Sequence, residues 1–285
     1  MSNPQKTPDA GATKTEGWTI GGSGMNAGSR GGLRGYLGIT RTATYGFIAA
    51  VPLLLLYEVL ILLVNDSTDT AVRVGADVWI KQLIALVGDP GMFAIGLVVL
   101  LAGAWVVRRD WKKGLPLRPR YLGWMLLEST LYAILVALIV SRVVGAIFYN
   151  VIPADSALAL AAGIQGQELG LGKMLALSLG AGLYEELVFR VFLVGGLFWA
   201  FKKVSGRGGV SKSGIPAYLL AAFLGALVFS AVHYIGTFGD DFQLASFTFR
   251  FLFGLVLNGL YLWRGFGIAA WTHAIYDVLV VTNTL

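Results

Sequence analysis

Five titratable side chains in the second half of the chain are of types that do acid–base chemistry. Glu185 and Glu186 lie in LYEELVFRVF (183–192), His233 in VFSAVHYIG, and His273 and Asp277 in AAWTHAIYDVLV. Together they supply a general base, two imidazoles and a further carboxylate, the groups that move protons and stabilise developing charge. All of them sit in apolar sequence. A charge at mid-bilayer costs about 2.5–3.5 kcal/mol on the insertion scale, so an intramembrane ionisable group is a functional candidate by default. A single buried histidine is most often structural, satisfied by a carbonyl or hydroxyl. The set reads differently, because the chain has only two histidines and both fall here.

Helical spacing sorts these groups. Glu186 and Arg190 are four apart, acid before base, and share a helix face on which they can pair. Glu185 is rotated about 100° away and has no local partner, so it must find one on another helix or face water. Asp277 lies one turn after His273 on the same face. Phe229 lies one turn before His233.

The elements that position these residues follow from composition. The chain is 56% hydrophobic and 13% charged over 285 residues, with a mean hydropathy of +0.71. Soluble domains carry about 25% charged residues, so this is an integral membrane protein. The absence of cysteine excludes disulfides and thiolate metal sites. The net charge of +6 is read as basic cytoplasmic loops, and nucleic acid is not expected as a partner. Long apolar runs without period-2 alternation exclude a β-barrel. The fold class expected is all-α, a polytopic transmembrane bundle of about seven to eight membrane helices with the site inside the late ones. Spans are expected near 44–64, 91–107, 121–149, 171–201, 215–235, 243–263 and 267–283, with a short interfacial segment at 76–88.

Residues 1–38, Gly- and Ser-rich, read as a disordered cytoplasmic tail. Residues 39–120 hold the N-terminal membrane helices, and residues 121–285 the core that carries the site. With the N-terminus cytoplasmic, the basic loops 108–120, 202–214 and 264–266 fall on the same side. A bacterial plasma membrane is the expected location.

Other intramembrane polar residues have structural readings. Glu58 and Glu128 are expected to pair across helices, with Arg142 or Arg250 as partners, and those two arginines could also snorkel from helix ends. Gly180, Gly182, Gly195, Gly196, Gly225, Gly254 and Gly259 read as close-packing positions. Asn258 is a candidate to bond across helices or to line the site.

Three motifs, in order on successive late helices, resemble the CPBP family of intramembrane proteases. EELVFR fits E-E-x-x-x-R, FSAVH fits F-x-x-x-H, and HAIYD fits H-x-x-x-N/D. That family includes type II CAAX prenyl endopeptidases and bacterial bacteriocin-processing and self-immunity proteins. The resemblance covers about residues 120–285. It implies hydrolysis of a peptide bond inside the membrane, in a membrane peptide or protein, a lipidated substrate or a leader peptide. By position it makes Glu185 the base that activates water, with His233 helping to hold it. His273 and Asp277 would polarise the scissile carbonyl and stabilise the oxyanion. Glu186 and Arg190 would shape the site.

Asp277 stands where the prenyl endopeptidases have Asn. An ionised Asp cannot donate to an oxyanion, but it can orient His273 or ligate a metal. Glu185, His233 and His273 form a two-His-one-carboxylate set suited to zinc or another divalent metal. With a metal, Glu185 could instead be a ligand and Glu186 the base, and the sequence leaves both assignments open. Two other functions fit the same residues: a non-enzymatic immunity or scaffold protein of this fold, and a proton-coupled transporter using them as a relay. The oligomeric state is not legible.

One geometric tension accompanies these readings. At 1.5 Å per residue, His233 lies about 27 Å into its span and His273 only about 9 Å into its own. Imidazoles more than about 12 Å apart could share neither a water nor a metal.

Overall fold

The structure is a computed structural model and describes residues 33–64, 101, 103–148, 170–207, 214–235 and 239–284. Among the described residues the regular structure is helical throughout. A short helix α1 (Leu33–Thr40) leads into α2 (Ala43–Val64). Helix α3 covers 103–112, and α4 runs Pro119–Phe148. A continuous helical run then comprises α5 (Leu171–Gly180), a π-helical segment (Ala181–Val194) and α6 (Gly195–Arg207). Helices α7 (Ile215–Val232), α8 (Leu244–Arg264) and α9 (Phe266–Val281) complete the chain.

Helices α2, α4, α7 and α8 are long and apolar enough to cross a membrane. Their outer faces expose large apolar side chains such as Leu62, Leu127, Ile139 and Leu219, as lipid-facing surfaces do. The segment expected at 76–88, and most of the span expected at 91–107, lie outside the described residues. So does the tail up to residue 32. Residues 33–38, placed in that tail on composition, instead open α1. Tyr36 and Ile39 are buried on one side of it and pack with Tyr45, Tyr121 and Met125. The Gly-rich context masked this short amphipathic turn.

The last helix, α9, is the centre of the bundle. It packs against α2, α4, α5, the π segment and α8. Small residues allow this: Ala269, Ala270 and Ala274 are fully buried on α9. A Cβ on Gly182 would lie 2.6 Å from the Ala270 carbonyl oxygen and 2.6 Å from the Ala274 nitrogen. Backbone therefore meets backbone between the π segment and α9, the small-residue packing of membrane helices. Gly225 and Gly254 also pack closely, but Gly196 and Gly259 border open space.

Several polar expectations change. Glu128 pairs with Arg264, not with Arg142 or Arg250. Arg250 pairs with Asp240 at 2.5 Å, Glu58 accepts from the Tyr184 hydroxyl at 3.3 Å, and Arg142 is exposed. Asn258 ties α8 to α7, its Nδ2 donating to the Ala222 carbonyl at 2.8 Å. Arg264 is 1% exposed. It is a buried partner rather than a charge of the 264–266 loop, so it says nothing about which side that loop faces.

Candidate active site

The π segment carries the two glutamates. Its i→i+5 bonding puts more residues in each turn than an α-helix does, and such segments often occur at functional sites. Glu186 is fully buried. Its Oε1 accepts from His273 Nδ1 at 2.7 Å, and Arg190 Nη1 lies 3.0 Å from the same oxygen. That Arg190 contact is an ion pair by distance but lies off the hydrogen-bonding direction, and all three guanidinium nitrogens lack a hydrogen-bond acceptor. The guanidinium sits over the Phe229 ring, 4.4 Å from its centroid. This cation–π contact offsets part of the cost of burying the charge.

Glu185 points away from this pair. Its Oε2 is buried with no hydrogen-bond donor among the protein groups. The nearest imidazole nitrogen is His233 Nε2, at 3.9 Å. His233 sits in the turn just after α7, and its Nδ1 is 2.7 Å from the Phe229 carbonyl oxygen. A carbonyl only accepts, so Nδ1 carries the hydrogen and Nε2 presents its lone pair toward Glu185. The turn is held by the Asp240 N–H, which donates to the His233 carbonyl at 2.9 Å. Arg250 of α8 anchors Asp240 in turn.

The third element is His273, eighth residue of α9. With Nδ1 given to Glu186, its Nε2 lies 3.5 Å from Asp277 Oδ2. The two histidines meet through Phe229, whose ring is edge-on to His233 at 5.1 Å and to His273 at 5.9 Å. The imidazoles can be no farther apart than those two distances laid end to end, which is inside the separation that would have forbidden a shared site.

The structure thus brings Glu185, Glu186, His233, His273 and Asp277 into one cluster, with Arg190 and Phe229 among them. Asn258 bonds toward α7 instead. Exposure divides the cluster: Arg190, Glu186 and His273 are sealed at 1, 0 and 4%, while Glu185, His233 and Asp277 stay at 16, 25 and 27%. The cluster is therefore more open on its Glu185–His233–Asp277 side.

The sequence also offered Glu185, His233 and His273 as a possible three-ligand metal set. Among the described residues no group of three His, Asp or Glu side chains converges closely enough to hold a metal ion. His273 Nδ1 is committed to Glu186, which leaves two carboxylate–imidazole pairs instead of one triad.

Residues 167–279 match the family model described as Type II CAAX prenyl endopeptidase Rce1-like. The matched residues form a domain similar to that family. Every site residue named above falls within this CAAX-endopeptidase-like domain. Helix α4 and Glu128, which the sequence reading had included in the core, lie before it. Comparisons with curated proteins and with solved structures each returned no match.

Gly182, read from the sequence as a close-packing position, is where the segment carrying Glu186 touches the backbone of α9. Its signal was the pairing of a glycine one turn before Glu186 with the small residues around His273. Gly182→Ala is expected to push α9 outward, lengthening the Glu186–His273 bond and costing about 1–3 kcal/mol, as overpacking does. Thermal unfolding in detergent measures the cost.

Proposed function

We propose that this integral membrane protein is an endopeptidase that hydrolyses a peptide bond near the C-terminus of a lipidated, CAAX-like membrane substrate. One observation carries the reading. A buried, donor-free carboxylate oxygen faces an imidazole lone pair at 3.9 Å, on the more open side of the cluster. That gap is too long for a direct hydrogen bond and suits one water oxygen that donates a hydrogen to each.

Glu185 takes one proton as the water oxygen attacks the scissile carbonyl carbon, and His233 Nε2 holds the other hydrogen. The carbonyl π electrons move to its oxygen, giving a tetrahedral oxyanion. His273, with a proton on Nε2, donates to that oxygen in a dry, preorganised setting. Glu186 fixes the ring through Nδ1, Arg190 balances Glu186, and Asp277 orients the outer edge of the ring. Collapse of the intermediate breaks the C–N bond, and the proton on Glu185 passes to the leaving amine. The products are a carboxylic acid and a short peptide. Of the two carboxylates in EE, this reading makes Glu185 the base, because Glu186 is committed to His273 and Arg190 while Glu185 faces His233 across a gap.

The test uses purified protein in nanodiscs and a farnesylated C-terminal peptide. Wild type should release the terminal peptide and His233→Ala should not. No cleavage of any lipidated or leader peptide by wild type would favour the scaffold reading. No step is routed through a metal, so exhaustive chelation should leave the rate unchanged. A loss restored by zinc would overturn that part of the scheme.

A further inference from the structure

A buried cluster outside the site's own motifs couples the N-terminal helices to His273. Arg264, the last residue of α8, spends its whole fork on fixed acceptors. Its Nε and Nη2 bind the two Glu128 oxygens at 2.6 and 2.8 Å. Nη2 also donates to Thr40 Oγ1 at 3.0 Å, and Nη1 to the Leu37 carbonyl at 3.1 Å. Glu128 accepts further from the Tyr36 hydroxyl at 2.5 Å and from Tyr132 at 2.9 Å. Burial, and after it the Glu128 carboxylate, push the Tyr36 hydroxyl well above its ordinary range, so it stays a donor. The cluster joins α1, α4 and the end of α8.

Its position fixes where α9 begins. Ser129, next to Glu128, donates to the Ile268 carbonyl at 3.4 Å, and Arg264 holds the preceding turn against α4 and α1. His273 lies about 10 Å from the start of α9. The turn itself leaves no slack. Gly265 has φ +85°, and a Cβ there would lie 2.9 Å from the Arg41 carbonyl oxygen. Helix α9 begins at the next residue, so any movement of Arg264 passes along a rigid helix to His273.

We propose that Arg264, Glu128 and Tyr36 are positioning residues that set the depth of His273 against Glu186. A bidentate Arg–carboxylate fork specifies geometry as well as charge, and Lys does not reproduce it. A hydrophobic replacement could match its stability but not its register. The kinetic part of this proposal rests on the hydrolytic reading above; the placement of His273 does not.

Because the chain has two histidines, ¹⁵N-histidine labelling yields two ring spectra. His273 is assigned as the ring whose signals vanish in His273→Ala. In Arg264→Lys and Glu128→Gln, the downfield Nδ1 proton of His273 should move or weaken while the His233 signals stand. The rate constant kcat should fall up to about 10²-fold, as a displacement near 1 Å can cause, with KM nearly unchanged. Tyr36→Phe should do the same to a smaller degree and guards against a misfolded charge variant. Unmoved His273 signals in Glu128→Gln and Tyr36→Phe would overturn the proposal, whatever happens to stability. If wild type cleaves nothing but the His273 proton still moves, the positioning cluster stands and the hydrolytic reading falls.

Discussion

Glu185→Gln should lower kcat by about 10²–10⁴-fold, the usual contribution of a positioned general base. The amide keeps the shape of the side chain but cannot take the proton from water. Glu185 makes no ion pair with Arg190 in the structure. Its neighbour across the gap is His233, so the substitution disturbs little of the packing. KM should change little, because the lost interaction is made chiefly in the transition state. Steady-state cleavage of a farnesylated peptide measures both constants.

Arg190→Met should act mainly on stability. The side chain is 1% exposed and Glu186 is fully buried. Removing the cation leaves a buried carboxylate with only His273 to balance it. Breaking one side of a buried pair typically costs about 3–5 kcal/mol. The Phe229 ring also loses the guanidinium stacked on it. Denaturant unfolding in mixed micelles reads the change. Restoring neutrality with Arg190→Met/Glu186→Gln should recover part of it, since the uncompensated charge is then gone.

Much of the site was legible because charges in apolar sequence are rare and helical spacing is regular. The Glu186–Arg190 pairing follows from four-residue spacing alone. So does the His273–Asp277 turn, and the isolation of Glu185 pointed to a partner on another helix. The boundaries of α2, α4, α8 and α9 came within a residue or two of the apolar runs, because lipid-facing helices are apolar along their whole length.

What was not legible depended on relative height and on close approach. Nothing in the local sequence says that α8 ends deep in the bundle, so Arg264 read as a loop residue and Glu128 was assigned the wrong partner. The π geometry at 181–194 was equally hidden, since apolar periodicity over so short a stretch does not separate π from α. A three-ligand metal set looked available by residue type. In three dimensions Glu186 takes His273 Nδ1, and two carboxylate–imidazole pairs form instead.

The central claim is that the half-buried member of the glutamate pair, Glu185, does the chemistry and the sealed Glu186 holds the site in place. The most direct measurement follows one farnesylated CAAX peptide by mass spectrometry with wild type, Glu185→Gln and Glu186→Gln. Each protein is first checked for folding by its His233 ring signals. The prediction is cleavage by wild type at a single bond, none detectable with Glu185→Gln, and residual cleavage with Glu186→Gln. Cleavage by Glu185→Gln at the wild-type rate would contradict it.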